Sequence, residues 1–134
     1  MTSFPLKIVT PDGLAFDGQA EELIVRTTTG DLGILAGHIS CVAPLGMGQA
    51  TIMVDGKKRY AACIGGMVSV VNGEVTLVPT TFEWADEIDA SRADASYQRA
   101  QKVLNTKDSS STDIQLAQAR LRRALVRKSV ASNK

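Results

Sequence analysis

"MVSVVNGEVTLVP", residues 67–79, is the stretch that decides the fold of the first part of this chain. Apolar and polar side chains alternate on both sides of its central Asn72-Gly73 pair. Asn-Gly between two alternating runs is a strong signal for a β-hairpin, because a type I′ turn needs positive φ at both central positions. The stretch therefore predicts two antiparallel strands joined by a tight turn.

Upstream of this hairpin the chain carries further strand signals. A second turn pair, Asp55-Gly56, divides residues 49–66 into two runs, and shorter alternating or β-branched runs occur at residues 4–10 and 21–30. Several short strands joined by such turns are typical of a β-sandwich or a small barrel. The first two thirds of the chain are therefore expected to be all β.

After the β region the apolar period changes from two residues to about 3.6, which predicts two helices and an α+β fold. The two apolar stripes are Ala93, Tyr97, Ala100 and Leu104, then Ile114, Ala117, Leu121 and Leu125. The polar stretch NTKDSSST, residues 105–112, predicts the connection, and Thr112 with Gln115 fits a capping box that opens the second helix. Because both stripes are rich in alanine and bury little area, we expect a weakly held hairpin.

The composition limits the classes of function. A chain of 134 residues suits one domain, or a compact domain with an appendage, and a formal net charge of +1 argues against a surface built for nucleic acid or anionic lipid. Cys41 and Cys63 lack metal-ligand spacing and the chain has one histidine, so no metal site is expected. The sequence shows neither a leader pattern nor an apolar run of membrane-spanning length, which predicts a protein of the cytosolic side.

Charge is separated along the helical part. Acidic residues gather where the first helix is expected to begin, which the helix dipole favours: Glu83, Asp86, Glu87, Asp89 and Asp94. Residues 114–134 contain no acid, and their basic residues are Arg120, Arg122, Arg123, Arg127, Lys128 and Lys134. Because solvated helix faces usually mix both signs, this one-sided charge predicts a surface that binds an anion.

Several motifs, in this order and in a chain of this length, resemble the epsilon subunits of bacterial F-type ATP synthases. They are VTPDG at residues 9–13, GDLGILAGH at residues 30–38, Gly65-Gly66 followed by VSVVNGEVTLV, and EIDASRA at residues 87–93 before the Arg-rich end. The similarity extends over essentially the whole chain. The chain departs from the family pattern at Ala36 and Ser40, where prolines are usual, and at Met67, where an aromatic residue is common.

The resemblance implies two domains with different tasks. Residues 1–86 would form a flattened β-sandwich of about ten short strands that attaches to the gamma subunit and contacts the ring of c subunits. Residues 87–134 would form an antiparallel helical hairpin, either folded or extended into the catalytic head of alpha and beta subunits, where it inhibits ATP hydrolysis. The chain would then be a non-catalytic rotor subunit, peripheral at the cytoplasmic face of the bacterial plasma membrane.

The resemblance also implies two sets of functional residues in the helical part. The inhibitory contact with the catalytic head maps to Arg122, Arg123, Arg127 and Lys128. Some bacterial members bind ATP through an Ile/Leu-Asp-x-x-Arg-Ala motif, which matches Ile88, Asp89, Arg92 and Ala93 here. By this resemblance ATP is a regulatory ligand and no cofactor is obligatory.

The implied ATP site uses both helices. Glu83 and Asp89 would lie near the base or ribose. The implied phosphate ligands are Arg92, Arg99, Arg123 and Arg127. Arg92 and Arg99 are seven residues apart and share one face of the first helix, while Arg123 and Arg127 are four apart on the second. Guanidinium groups are well suited to binding phosphate oxygens.

Simpler interpretations remain open for these features. Asp89 is also a good helix N-cap without any nucleotide, and the basic residues also suit a solvated helix face. His38 has no evident catalytic partner, and Gly30, Gly33 and Gly37 fit turns better than a phosphate loop. The main alternative function is a small nucleic-acid-binding domain that uses the basic second helix, although 4% aromatic residues and near-neutral charge disfavour it.

Overall fold

The computed structural model describes residues 2–106 and 110–133. The chain folds into two compact units, Met1–Trp84 and Ala85–Lys134. The first unit contains β1 Phe4–Thr10, β2 Gly13–Ala20, β3 Glu22–Thr27, β4 Gly30–Ile34, β5 Cys41–Pro44, β6 Met47–Val54, β7 Lys57–Val71 and β8 Glu74–Trp84. The second contains a 3₁₀ turn, Ala85–Glu87, then α1 Ala90–Leu104 and α2 Ser111–Ala131.

The strands hydrogen-bond in the order β2-β1-β8-β7-β6-β3-β4, with β5 beside β7. β1 runs parallel to β8, and the other pairs are antiparallel. The sheet forms a β-sandwich, so the predicted α+β class, a sandwich followed by two helices, is confirmed. The largest fully buried side chains of the sandwich include Leu6, Ile8, Leu23, Ile52 and Leu77. The sandwich core is supplied by residues 4–84.

The expected count of about ten strands is wrong, since the described residues contain eight. β7 and β8 are 15 and 11 residues long. Gly65-Gly66 is expected to end a run, but it bends β7 without interrupting it. β8 keeps the same register through the bend, with Ile64 opposite Thr81 and Gly66 opposite Pro79. The two predicted runs 57–66 and 67–71 are therefore one continuous strand, β7.

The two predicted type I′ turns are confirmed. Asp55 and Gly56 have φ values of 53° and 75°, and Asn72 and Gly73 have φ values of 50° and 82°. Positive φ at both central positions is the geometry that joins tightly twisted antiparallel strands. These turns connect β6 to β7 and β7 to β8, and so they fix the register at the centre of the sheet.

At Gly66 the backbone of β7 lies close to the backbone of β8. Its φ is 101°, and a Cβ at this position would lie 2.7 Å from the Pro79 Cα and closer still to the Val78 carbonyl oxygen. The Gly66 carbonyl also accepts a hydrogen bond from the Leu45 backbone N–H at 2.8 Å. The bend in the long strand therefore depends on a residue without a side chain.

The two helices begin at capped positions. The Asp89 carboxylate accepts a hydrogen bond from the Arg92 backbone N–H at 3.1 Å, which caps α1. The capping box predicted at Thr112 is wrong, because α2 begins after Ser110. Ser110 Oγ accepts from the Asp113 N–H at 3.1 Å, and Asp113 Oδ2 accepts from the Ser110 N–H at 3.4 Å. Thr112 lies inside the helix that it was expected to cap.

The predicted connection, residues 105–112, falls partly outside the described residues, because 107–109 are not among them. At the end of α1 the Asn105 N–H donates to the Gln101 carbonyl at 3.1 Å. Thr106 Oγ1 donates to the Lys102 carbonyl at 2.9 Å. These bonds satisfy carbonyls that have no partner further along the helix. Within the described part of the chain, no helix is long and apolar enough to cross a membrane.

The helices pack against each other through alanine. Ala93 and Ala100 of α1 and Ala117 and Ala124 of α2 are buried. The predicted stripe included Leu125, but this side chain is 46% exposed and its neighbour Ala124 takes the buried position. Small side chains allow a close approach of the two helices and bury little apolar area per residue.

Candidate functional site

A groove of about 670 Å³ lies between α1 and α2. Small and apolar side chains line part of it, Ala100 and Val103 from α1 and Leu116 and Ala117 from α2. Ala100 and Ala117 are buried, and each contributes only a methyl group to the lining of the groove. The alanine packing of the hairpin thus leaves room for a ligand along the helix junction.

Four arginines line this groove, Arg99 on α1 and Arg120, Arg123 and Arg127 on α2. The three on α2 are spaced by three and four residues, so they lie along one face of the helix. Asp113 is the one carboxylate among the described lining residues, and it is engaged in the capping box of α2. Four guanidinium groups against one carboxylate make the groove strongly cationic, and guanidinium groups bind phosphate oxygens well.

Three of the four predicted phosphate ligands, Arg99, Arg123 and Arg127, come together at this groove. The fourth, Arg92, is exposed on α1 seven residues before Arg99. That spacing puts it on the same side of the helix about two turns away. Arg92 is not among the lining residues. A phosphate-binding role for these four residues stays a prediction.

The other predicted nucleotide contacts do not line the groove. Asp89 serves as the N-cap of α1, and Ile88 and Ala93 are buried. Glu83 belongs to β8 in the first unit, where it pairs with Ala62 of β7. The part of these residues in nucleotide binding likewise stays a prediction.

Arg120 is a groove residue that the sequence did not identify as a ligand. The family resemblance implies no ligand role for Arg120, although the Arg120 side chain lines the groove. The signal in the sequence is its spacing of three residues from Arg123 and seven from Arg127, which puts all three on one helix face. Arg122, in contrast, is exposed and does not line the groove.

Lys128 links the two helices. Its Nζ lies 2.8 Å from Asp94 Oδ1 and 4.5 Å from the centroid of the Tyr97 ring. The ammonium group thus has both a carboxylate and an aromatic face of α1 as partners. The hydrogen bond from Lys128 and its positive charge lower the pKa of Asp94, and a hydrogen bond with Gln98 adds to this effect. Lys128, predicted to contact the catalytic head, is engaged within the hairpin here.

Replacing Asp94 with Asn should loosen the hairpin at neutral pH, because the ion pair with Lys128 is lost. The pKa of Asp94 in the folded chain lies below its ordinary value of 3.8, so the pair stabilises the hairpin above that pH. This contribution is lost as the pH falls through the lowered pKa. The melting temperature of the helical circular dichroism signal should therefore fall in Asp94→Asn at neutral pH and converge with that of the original chain in strong acid.

A double-mutant cycle provides the control for this prediction. Lys128→Gln should lower the melting temperature in the same way, and the double variant should lose less than the sum of the two single losses. Fully additive losses at neutral pH would contradict the coupling between Asp94 and Lys128.

The single histidine and the two cysteines show no sign of a catalytic arrangement among the described residues. His38 Nδ1 lies 2.8 Å from the Ile39 carbonyl oxygen in its own loop. Burial raises the pKa of the Cys63 thiol to about 12, so this thiol is protonated at neutral pH. Cys41 and Cys63 are both free thiols. Among residues 2–106 and 110–133, no group of three or more His, Cys, Asp or Glu side chains is arranged to hold a metal ion.

One end of the sandwich exposes large apolar side chains. Ile39 and Val42 are 78% and 61% exposed, and Val71 is 52% exposed. The β7–β8 turn is tied to the loop before β5, because the Asn72 N–H donates to Ser40 Oγ at 3.1 Å. Exposed apolar groups gathered in this way are typical of a surface that contacts another protein.

The two units define an α+β protein in which a β-sandwich precedes a helical hairpin with a cationic groove. The family model "ATP synthase, Delta/Epsilon chain, beta-sandwich domain" matches residues 3–85, and "ATP synthase, Delta/Epsilon chain, long alpha-helix domain" matches residues 86–132. The chain belongs to the ATP synthase epsilon chains, as the motifs predicted.

Relatives of this family match the chain from end to end. The ATP synthase epsilon chain of Ruminococcus albus is 42% identical over 135 residues, covering 100% of both chains. That of Bacillus velezensis is 44% identical over 133 residues, covering 99% of this chain and 100% of the relative. The similarity therefore includes both the sandwich and the hairpin.

Solved structures show the same fold at lower identity. A chain of the Euglena gracilis mitochondrial ATP synthase, solved as OSCP, F1 and c-ring, has a TM-score of 0.85 and 20% identity, covering 100% of this chain and 83% of that one. A chain of the Tetrahymena thermophila mitochondrial ATP synthase, solved as central stalk and c-ring, has a TM-score of 0.66 and 15% identity, covering 95% of each.

Proposed function

We propose that this chain is a non-catalytic rotor subunit of a bacterial F-type ATP synthase, which inhibits ATP hydrolysis through its hairpin and senses ATP there. The sandwich attaches to the gamma subunit and contacts the c-ring, while the hairpin reaches the alpha and beta subunits of the catalytic head. The chain is peripheral at the cytoplasmic face of the plasma membrane. The observation that carries this proposal is the arginine-lined groove between two alanine-packed helices in an ATP synthase epsilon chain.

The exposed apolar end of the sandwich supports its role in attachment. Ile39, Val42 and Val71 expose large apolar side chains, which an isolated domain gains nothing by presenting to water. Burying them against partner subunits removes this apolar area from water and stabilises the complex. The sandwich has its own core, so it serves as a rigid body for this attachment.

The packing of the hairpin supports its role as a movable inhibitor. The helices meet through alanine, and so separating them exposes little apolar area. In the folded hairpin Arg123 and Arg127 line the groove, and Lys128 pairs with Asp94. These are three of the four residues proposed to contact the catalytic head, and Arg122 is the fourth. Folding of the hairpin therefore keeps most of the proposed inhibitory cations away from the catalytic head.

ATP binding fits the same groove. The phosphates lie against Arg92, Arg99, Arg123 and Arg127, and the base and ribose lie towards Asp89. A ligand that binds the folded hairpin and not the extended one shifts the population towards the folded form. High ATP therefore favours the state in which hydrolysis is not inhibited.

Replacing Arg123 with Ala should weaken ATP binding by about tenfold or more, because a charge-assisted contact with phosphate is lost. Isothermal titration calorimetry on the full-length chain measures this change. Lys102→Ala serves as the matched control, since Lys102 is an exposed cation of α1 that does not line the groove. If the full-length chain, with its fold intact, gave no heat of binding at millimolar ATP, the proposed ATP site would be wrong.

A further inference from the structure

The arginines of α2 form a row along the groove. Arg120, Arg123 and Arg127 all line it, and seven residues separate the first from the last. At 1.5 Å per residue the row extends about 10 Å along the helix axis. A row of this length meets several linked phosphate groups in succession, whereas a single phosphate would occupy one part of it.

The ion pair between the helices shows which end of this row of arginines lies nearer to Asp89. Lys128 Nζ and Asp94 Oδ1, 2.8 Å apart, bring the end of α2 level with the beginning of α1. Arg120 precedes Lys128 by eight residues, so it lies about 12 Å from that level towards the connection between the helices. Asp89 lies before α1, at the opposite end. Among the groove-lining arginines of α2, Arg120 is therefore the farthest from Asp89.

The cationic part of the groove ends at Arg120. The next lining residues of α2 towards the connection are the apolar Ala117 and Leu116, and the last is Asp113, a carboxylate. Neither apolar groups nor a carboxylate bind phosphate well. A phosphate chain that enters from the Asp89 end consequently has its final cationic partner at Arg120.

We infer that Arg120 contacts the terminal phosphate of a bound triphosphate and thereby sets a preference for triphosphate over diphosphate. This inference rests on the proposed ATP site, in which the base and ribose lie near Asp89. The chemistry that Arg120 recognises is the last group of a linked phosphate chain, which a nucleoside triphosphate and inorganic tripolyphosphate share.

The test compares Arg120→Ala with Arg122→Ala in the full-length chain. Arg122 is the matched control because it is an exposed arginine of the same helix, two positions away, that does not line the groove. Calorimetric titrations use ATP, ADP and inorganic tripolyphosphate, and circular dichroism checks that each variant is folded. Arg120→Ala should weaken ATP binding by about tenfold and leave ADP binding nearly unchanged. Arg122→Ala should change neither.

Each other outcome separates this inference from the proposed ATP site. Equal weakening of ATP and ADP by Arg120→Ala, or equal weakening of ATP by Arg120→Ala and Arg122→Ala, would overturn the role of Arg120 while leaving the ATP site in place. If the original chain bound neither nucleotide, the proposed ATP site would fail. In that case, tripolyphosphate binding by the original chain that is lost in Arg120→Ala would still support Arg120 as a phosphate contact. If the original chain did not bind tripolyphosphate either, the role of Arg120 as a phosphate contact would be overturned.

Discussion

A chain that ends at Ile88 should assemble normally and should allow the complex to hydrolyse ATP several-fold faster than the full-length chain does. The sandwich core is supplied by residues 4–84, so removing both helices leaves it whole. The apolar end that is proposed to contact partner subunits also remains. The cations proposed to inhibit the catalytic head, all of them in α2, are lost.

Two measurements on the reconstituted complex check this result, the rate of ATP hydrolysis and co-purification of the shortened chain with gamma. A chain that ends at Ala131 is the control, because it retains both helices and should inhibit as the full-length chain does. Failure of the shortened chain to bind gamma would contradict the division of tasks between the two units. An unchanged rate of hydrolysis would contradict the inhibitory role of the hairpin.

Replacing Gly66 with Ala should lower the free energy of unfolding of the sandwich by about 3 kcal/mol or more. An alanine here must adopt a φ of 101°, which L residues rarely do, and its Cβ collides with the backbone of Val78 and Pro79. These contacts are with backbone atoms of the paired strand, so no side-chain rotation relieves them. The two long strands must therefore separate or unbend.

Gly73→Ala is the matched control for this prediction. Gly73 also has positive φ, 82°, but a Cβ there would meet nothing within 4 Å. Its replacement should cost about 1–2 kcal/mol, which is the penalty of the left-handed conformation alone. Urea unfolding followed by fluorescence of Trp84, the single tryptophan, measures both losses. Equal losses in the two variants would show that the close approach at Gly66 adds nothing.

The sequence predicted the strands and turns well where local chemistry decides the outcome. Asp55-Gly56 and Asn72-Gly73 form the expected turns because positive φ favours these residue types wherever the chain lies. The number of strands could not be predicted in the same way. A glycine pair ends one strand and bends another equally well, and the pairing of β7 with β8 decides which of these happens.

The hairpin shows where local patterns are ambiguous. Ser110 with Asp113 and Thr112 with Gln115 are both reasonable capping pairs, and the structure selects the earlier one. The helix contact uses Ala124 and leaves Leu125 exposed, although leucine is the more apolar of the two. Close helix packing favours the smaller side chain, and one position along a helix rotates the face by about 100°. The spacing of Arg120 puts it on one helix face with Arg123 and Arg127, but only the packed hairpin shows that this face lines the groove.

The alanine contact between the helices also has a consequence for the proposed response of the hairpin to ATP. A ligand at ten times its dissociation constant stabilises the form that binds it by about 1.4 kcal/mol, which changes a population ratio about tenfold. An interface of leucines would hold the helices together by more than a ligand at such concentrations can offset. Under the proposed function, an interface of methyl groups would keep the folded and open forms close in free energy, so that the ATP concentration in the cell sets the balance between them.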